Sequence, residues 1–292
     1  MLPRDFDLLY TFDTSRLVHA LAEHVKPGGH VFLNRVGAPP PVSFMDPRIE
    51  GDVNGLIVES PSLAKGYKTV VPIAVIPALG HYSAAPPWEP RPAGQSVRVA
   101  YMGRYERPKG VFRLVDIWQR HAPAGATLDF YGSGPDQLEL QGYIRKLGQE
   151  QTTRLHPGWA TPEEAGQIFR QVDLCVLPSD SEGLPAILLE AMAHGVPFVA
   201  SNVGGIRDLA QDNPDVTVVP LDDAALGAAI ASMVERIRSG SVSGARLQAY
   251  HRERYSFEAI SQQWVSALLD PQQFWSSVHI ARHRQACSPE QP

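Results

Sequence analysis

The segment from Asp173 to Leu209 constrains the fold more than any other part of the chain. It reads DLCVLPSDSEGLPAILLEAMAHGVPFVASNVGGIRDL. A short apolar run, Leu174 to Leu177, is followed by a small and polar cluster, Pro178 to Gly183, and then by an apolar segment with helical periodicity, Leu184 to His194. A second apolar run begins at Pro197. This order of strand, turn, helix and strand predicts a βαβ unit, whose two strands are parallel.

Two residues mark the ends of the predicted helix. Pro185 suits its first turn, where a missing N–H leaves no helical hydrogen bond unmade, and Gly195 suits the position just past its end. The apolar run from Pro197 to Ala200 is then the second strand. A helix that crosses between two buried parallel strands is the building block of an open α/β sheet.

Two carboxylates belong to this unit, Glu182 in the turn and Glu190 on the helix. Both are expected at the carboxyl edge of the first strand, where open α/β sheets bind their ligands. A carboxylate there can accept two hydrogen bonds from the vicinal diol of a sugar or a ribose. The alternative is that both glutamates belong to a solvated face of the helix, where most charged residues lie.

The segment from Ser181 to Pro197 has the pattern S-E-G-L-P-x-x-L-L-E-A-M-A-x-G-x-P. It resembles the donor-binding signature of retaining glycosyltransferases of family 4, which have the GT-B fold. The resemblance implies an α/β protein with two Rossmann-like domains, the C-terminal one complete and the N-terminal one truncated. It also implies a hexosyltransferase that needs neither metal nor cofactor. Such an enzyme moves a sugar from a UDP- or GDP-linked donor to an unknown glycan, lipid or small-molecule acceptor, with retention of configuration.

Two further motifs follow predicted strands. The segment GRYERPKG, residues 103–110, contains Arg104 and Lys109, which resemble the phosphate-binding pair of the family. Cations and the free N–H groups of a helix start suit a diphosphate, although two solvated charges in a turn are the alternative. The segment GSGP, residues 132–135, matches the G-x-G-P turn of the family.

The resemblance assigns roles to individual residues. Arg104 and Lys109 would stabilise the charge that builds up on the leaving diphosphate, and Glu182 would hold a hydroxyl of the donor sugar. These three are the predicted catalytic residues, while Glu190 would hold the ribose diol. The remaining predicted donor-binding residues come from these motifs and from two further segments that resemble the family, residues 158–159 and 204–208. They are Gly103, Gly132, Gly134, Pro135, Gly158, Trp159, Gly183, Leu184, Pro185, Gly204, Gly205 and Asp208.

Strands and helices alternate regularly from Val97 onward, which predicts a parallel, doubly wound sheet. We therefore expect a nucleotide-sugar-binding domain over residues 97–256, followed by a C-terminal helix and polar tail over residues 257–292. Residues 85–96 belong to a stretch rich in proline and small residues, which is typical of a stiff linker. Residues 1–84 are expected to form a partial acceptor-side Rossmann-like domain.

The first domain has few predicted elements. A strand from Asp7 to Phe12 precedes a helix from Ser15 to Val25, which Pro27-Gly28-Gly29 is expected to end. A second strand is predicted from His30 to Val36. So small a parallel sheet cannot cover both of its own faces, although parallel sheets are nearly always covered on both.

An apolar face around Leu8, Leu9, Phe32 and Leu33 should therefore be partly open, unless another chain or the segment from Phe274 to Ile280 packs on it. This leaves alternatives to an active transferase. In the first alternative the chain is a pseudo-enzyme that binds a nucleotide sugar. In the second it is a homo-oligomer or subunit whose first domain is completed by a partner chain. In the third it is a fragment of a longer transferase. Glycoside hydrolysis needs two carboxylates facing each other across a bond, about 5 to 9 Å apart. It is disfavoured because two glutamates of one turn and helix, beside a phosphate-binding motif, do not suit that geometry.

Composition excludes some classes of function. A net charge of −5 and a pI near 6.1 give no basic surface for nucleic acid. No apolar run reaches the length of a membrane span, and the first residues lack the pattern of a signal peptide, so the cytoplasm is expected and peripheral membrane contact stays open. Asp180-Ser181-Glu182 resembles an Asp-x-Asp metal site, but a Gly-Leu-Pro turn and a helix follow at once, so no metal site is expected.

Overall fold

The computed structural model describes residues 6–12, 15–35, 43–44, 50–80, 85–90, 95–158 and 161–278. The chain divides into two compact units, one formed by Met1–Ile76 with Gln262–Pro292 and the other by Pro77–Ser261. This division differs from the expected boundaries at both ends of the second unit. Residues 85–90 belong to the second unit, and the C-terminal segment from Gln262 belongs to the first.

Strands and helices alternate along most of the chain. The strands are β1 (Phe6–Phe12), β2 (Val25–Arg35), β3 (Ser43–Phe44), β4 (Gly55–Val58), β5 (Tyr67–Lys68), β6 (Ile73–Val75), β7 (Val97–Met102), β8 (Ala126–Tyr131), β9 (Thr153–His156), β10 (Leu174–Leu177), β11 (Phe198–Ser201) and β12 (Thr217–Val219). The described helices are α1 (Ser15–Ala22), α2 (Pro61–Ala64), α3 (Val111–His121), α4 (Gln137–Lys146), α5 (Pro162–Phe169), α6 (Ala186–Ala193), α7 (Ile206–Leu209), α8 (Asp223–Arg238), α9 (Gly244–Arg254), α10 (Phe257–Leu269) and α11 (Pro271–Ser277).

The first unit contains a four-stranded parallel sheet in the order β1-β2-β4-β6, and β3 and β5 form a separate parallel pair. The prediction for β2 was wrong at its start. The residues Pro27-Gly28-Gly29 do not end α1 but lie inside β2, where the pairing with β1 shifts register between Phe6 and Leu8. Pairing with β1 on both sides of the irregularity keeps the chain extended there, and Gly28 supplies the positive φ of 83°.

The C-terminal helices cover one face of the first unit's sheet. The ring of Trp275 on α11 stacks on Phe32 with the centroids 4.9 Å apart, and Trp264 on α10 meets Tyr10 edge-on at 5.5 Å. Phe32 is fully buried as a result. The expected opening in this face is therefore covered by the chain's own C-terminal segment, as one of the alternatives allowed.

The second unit contains six parallel strands in the order β12-β11-β10-β7-β8-β9. The strands β10 and β11 lie within one residue of their predicted bounds, because short apolar runs between turn residues identify buried parallel strands. The chain adds strands in one direction from β7 and in the other from β10. Their boundary is thus the topological switch point, outside whose carboxyl ends open α/β sheets bind ligands.

Helix α9 was not predicted, because its sequence GARLQAYHRER has too few apolar residues to show a helical period. Long-range contacts hold it instead. Arg246 on α9 makes two hydrogen bonds to the buried carboxylate of Asp215, at 2.5 and 2.6 Å. The backbone N–H of Trp88 donates to the side chain of Gln248 on α9 at 3.0 Å, which holds part of the expected linker against the second unit.

Three short helices, α2, α7 and α11, were likewise not predicted, because four to seven residues carry too little periodicity to recognise. Helix α6 begins at Ala186, so Pro185 precedes it as the N-cap residue, while Gly195 follows it with φ 73° as expected. Within the part of the chain that the structure describes, no helix is long and apolar enough to cross a membrane. The polar tail from Cys287 lies outside the described residues.

Candidate functional site

The loops that follow β7 and β10 meet at the switch point of the second unit's sheet. Residues 103–110 follow β7, and residues 178–185 follow β10 and lead into α6. The backbone N–H of Asp180 in the second loop donates to the carbonyl oxygen of Pro108 in the first at 2.8 Å. The sheet therefore joins two of the predicted motifs at its ligand-binding edge.

Lys109 and Glu182 form an ion pair across this boundary. The ammonium nitrogen of Lys109 lies 2.8 Å from Oε1 of Glu182, and their side chains are 31% and 9% exposed. Burial raises the pKa of Tyr101, and the negative charge of Glu182 raises it further. The carboxylate of Glu182 therefore lies near the end of β7. A predicted phosphate-binding cation and a predicted sugar-binding carboxylate are thus in direct contact.

Arg104 lies farther out on the loop after β7. Its side chain is 73% exposed and pairs with Glu106. Its backbone is fixed, because the buried hydroxyl of Tyr101 donates to the Arg104 carbonyl oxygen at 2.6 Å. The structure therefore anchors the start of this loop and leaves the guanidinium at the protein surface.

Three predicted glycines pack against one another behind this loop. Gly132 has φ 152°, and a Cβ added to it would lie 1.9 Å from the carbonyl oxygen of Gly103. A Cβ on Gly158 would lie 3.3 Å from the Cα of Gly132. The turn continues through Gly134 to Pro135, an exposed residue two positions before α4. Any side chain at Gly132 would push the loops after β7 and β8 apart.

The loop after β11 supports the turn that carries Glu182. The N–H of Gly205 donates to the carbonyl oxygen of Gly183 at 2.8 Å. Gly204 has φ 55°, and a Cβ on it would lie 1.9 Å from the carbonyl oxygen of Glu182. Asp208 lies on the short helix α7 that follows and is partly buried.

Glu190 lies on α6 and is half-buried, which raises the pKa of its carboxyl to about 7. Its charge is the second cause, after burial, of the rise in the pKa of Cys175 to about 12, so Glu190 lies near β10. Leu184 and Pro185, between the two glutamates, are buried. Trp159 falls outside the described residues, so its predicted contact with the donor stays a prediction.

Sequence reasoning missed a second cation that contacts this turn. Arg113 on α3 pairs with the carboxylate of Asp180 and donates to the carbonyl oxygen of Pro178 at 3.0 Å. In the sequence Asp180 stands out only as part of a pattern that resembles a metal site. The described residues contain no group of three His, Cys, Asp or Glu side chains that could hold a metal ion. No local pattern joins two residues 67 positions apart, so only the fold brings them together.

Comparison with known proteins shows which family residues 96–236 match and which fold the chain has. Residues 96–236 match the family described as "Glycosyl transferases group 1". Glycogen synthase of Mycobacterium tuberculosis is 32% identical over 148 residues, and the putative teichuronic acid biosynthesis glycosyltransferase TuaC of Bacillus subtilis is 30% identical over 130 residues. These matches cover 50% and 44% of this chain, but only 36% and 31% of the two relatives.

Two solved structures resemble most of the chain. Anabaena Alr3699/HepE in complex with UDP has a TM-score of 0.74 at 18% identity, covering 91% of this chain and 79% of its own. Sucrose-phosphate synthase (tll1590) from Thermosynechococcus elongatus has a TM-score of 0.74 at 20% identity, covering 93% and 75%. The chain therefore has the fold of GT-B glycosyltransferases, as the sequence predicted.

Proposed function

Residues 96–236 form a domain of the glycosyl transferases group 1 family, and from this premise we propose that the protein is a retaining hexosyltransferase. It takes the sugar from a nucleotide diphosphate sugar, UDP- or GDP-linked, and transfers it to a hydroxyl of an acceptor without a metal ion. The observation that carries this proposal is the Lys109–Glu182 pair at the switch point, because it joins a cation for the diphosphate to a carboxylate for the sugar.

Charge development explains the arrangement. As the bond between the sugar and the diphosphate breaks, negative charge builds up on the leaving phosphate oxygens. Lys109, Arg104 and the N–H groups in the first turn of α6 would stabilise such a charge. Positive groups of the protein then do what a divalent ion does in other transferases, which is the physical basis for the proposed metal independence.

The two glutamates act on different parts of the donor. Glu190 accepts hydrogen bonds from the ribose diol, and Glu182 accepts one from a hydroxyl of the donor sugar. Glu182 is suited to the sugar because its carboxylate contacts Lys109, and Lys109 would hold the phosphate next to that sugar. Gly132 allows the loops after β7 and β8 to approach each other, and Gly204 allows the loop after β11 to approach the turn that carries Glu182.

The known proteins support the donor class. HepE was solved in complex with UDP and with UDP-glucose, which favours a uridine diphosphate sugar. Glycogen synthase and TuaC are named for the synthesis of polysaccharides, which favours a glycan acceptor. Both inferences extend from relatives to this chain and belong to the proposal.

Calorimetry with UDP, GDP, UDP-glucose and GDP-mannose tests donor binding, each measured with and without EDTA. We expect one nucleotide and its sugar conjugate to bind, with affinities that EDTA leaves unchanged. Loss of binding in EDTA would contradict metal independence, and no binding of any of the four would contradict the proposed function. Where an acceptor is found, NMR of the product must show the anomeric configuration of the donor.

A second candidate function is suggested by the unequal main sheets of the described residues, which have four strands in the first unit and six in the second. The protein would then bind a nucleotide sugar without transferring it, or transfer it only with a partner chain that completes the acceptor side. Donor binding without hydrolysis or transfer of the sugar to any of a panel of oligosaccharides would favour this alternative. Release of free sugar or formation of a glycoside by the purified chain would exclude it.

A further inference from the structure

We infer that Arg113 is a positioning residue that holds the loop after β10, and with it Glu182, in the geometry that binds the donor sugar. The inference rests on the proposed function, but its first observation does not, because the contacts are those of the protein alone. Arg113 lies one turn beyond Lys109, on the first turns of α3, with its side chain 27% exposed. It carries no predicted contact with the donor.

The guanidinium of Arg113 contacts the loop after β10 at two points. Nη1 donates to the carbonyl oxygen of Pro178 at 3.0 Å, and Nη2 pairs with the carboxylate of Asp180. Pro178 is the first residue after β10, and Asp180 is two residues before Glu182. A planar fork of fixed N–H donors is needed to bond a carbonyl and a carboxylate together, and the single ammonium of a lysine does not have this geometry.

Two backbone features bring the loop close to the helix start. Asp180 donates its N–H to the Pro108 carbonyl, and a Cβ added to Gly110 would lie 2.2 Å from the carbonyl oxygen of Pro178. The segment 108–113 therefore contacts the loop at its start through Pro178, at its middle through Asp180 and at its end through Glu182. Arg113 supplies the side-chain contacts at the first two of these points.

Arg113 also balances charge near the proposed diphosphate site. Its Nε lies 3.5 Å from Oδ1 of Asp223 at the start of α8, so one guanidinium faces two carboxylates. Arg120 lies about two turns farther along α3 and pairs with the same Asp223 at 3.0 Å. Its other described hydrogen bond goes to the backbone carbonyl of Asp116 in its own helix. Arg120 is thus a matched control, of the same charge and helix, that does not hold the donor loop.

Amide hydrogen exchange of the ligand-free protein is the first test. Arg113→Ala should speed exchange in peptides covering residues 178–188 by about tenfold, because the loop loses both side-chain contacts. Arg120→Ala should leave these peptides as in the wild type, and Arg113→Lys should be intermediate. Equal exchange in the Arg113→Ala and Arg120→Ala variants would overturn the inference. If Arg113→Ala does not fold cooperatively, Asp180→Asn breaks the same ion pair from the loop side and must give the same local change.

Donor binding is the second test, with UDP-glucose or GDP-mannose, whichever the wild type binds more tightly, compared with its free nucleoside diphosphate. Arg113→Ala should raise the dissociation constant of the sugar nucleotide about fivefold relative to that of the free diphosphate. Glu182→Ala should have the same effect. The double variant should be no worse than Glu182→Ala alone, because both changes remove the same sugar contact.

A ratio that moves equally in Arg120→Ala, or additive effects in the double variant, would show that Arg113 acts only through overall stability. If the wild type binds none of the nucleotides, the proposed function fails, and the exchange experiment still decides whether Arg113 holds the loop.

Discussion

The Lys109–Glu182 pair joins two charges that the proposed reaction uses on different parts of the donor. In the protein each neutralises the other at 2.8 Å, with Glu182 almost buried. An arriving diphosphate must share Lys109 with Glu182, and Lys109 has three N–H donors with which to contact both. The pair is therefore compatible with donor binding, and it predicts that removing either partner changes how the other meets the ligand.

The two glutamates should be separable by mutation. Glu190→Ala should weaken the free nucleoside diphosphate and the sugar nucleotide alike, by about 1 to 3 kcal/mol for a lost charge-assisted hydrogen bond. Glu182→Ala should weaken only the sugar nucleotide, since it frees Lys109 for the phosphate. Calorimetry measures both, with the exposed Glu150→Ala as control. Equal losses of free diphosphate binding in the two variants would contradict the assignment of Glu182 to the sugar.

The carboxyl of Glu190 should make stability depend on pH. Its pKa is raised by burial from 4.5 to about 7, so the folded protein binds a proton that the unfolded chain releases between these values. This contribution is fully present below pH 4.5 and is lost as pH rises through about 7. One pKa unit corresponds to about 1.4 kcal/mol, and partial exposure reduces the total to on the order of 2 kcal/mol.

Denaturant unfolding between pH 5 and pH 8 measures this effect, with Glu190→Gln as the comparison because it cannot titrate. The difference in unfolding free energy between the wild type and Glu190→Gln should shift against the wild type as pH rises. A difference that stays constant over this range would show that the Glu190 carboxyl titrates near its ordinary value.

At the scale of elements, the turns at the carboxyl edge of the second unit's sheet depend on the absence of side chains. Gly204→Ala would place a Cβ 1.9 Å from the Glu182 carbonyl oxygen at a positive φ. The backbone must then move, and donor affinity should fall by about tenfold or more. Gly142→Ala is the control, because Gly142 lies within α4 with open space around its Cα and should stabilise the protein by about 1 kcal/mol. Unchanged affinity in Gly204→Ala would show that this turn does not shape the site.

The C-terminal helix α11 should stabilise the first unit by covering its sheet. Trp275 stacks on Phe32 and lies so close to Gly55 that a Cβ there would meet its ring at 2.5 Å. Trp275→Ala should therefore destabilise this unit by about 3 kcal/mol, through lost burial and a cavity. Gln272→Ala, an exposed change on the same helix, should have almost no effect. Equal unfolding free energies of the two variants would contradict this packing.

At the scale of the whole molecule, the described residues form two hydrophobic cores, one in each compact unit. Scanning calorimetry should therefore resolve two transitions. A nucleotide sugar at about a hundred times its dissociation constant adds about 2.7 kcal/mol to the unfolding free energy of the unit that binds it. It should therefore raise the Tm of the second unit. Trp275→Ala should lower the Tm of the other transition and leave this one in place. A single transition moved by both changes would show that the units unfold together.

Local sequence determined the elements of the second unit and the chemistry of its loops. Short apolar runs between turn residues predicted the alternating strands and helices of this unit, and the resemblance of the segment from Ser181 to Pro197 to a family signature implied the GT-B fold and the ligand class. These features are readable because hydrophobic periodicity, Gly and Pro act within a few residues of each other. The same local signals predicted the helix end at Gly195, and they placed its start within two residues.

Only the tertiary structure decided which of these residues meet. Lys109 and Glu182 are 73 residues apart, and Arg113 and Asp180 are 67 apart. The strand order brings the two loops together, and no local pattern carries that order. Trp275 covers Phe32, and Pro27-Gly28-Gly29 joins a strand instead of ending a helix, because packing and strand pairing override local preference. Sequence thus specified the parts of the site, and long-range packing specified their geometry.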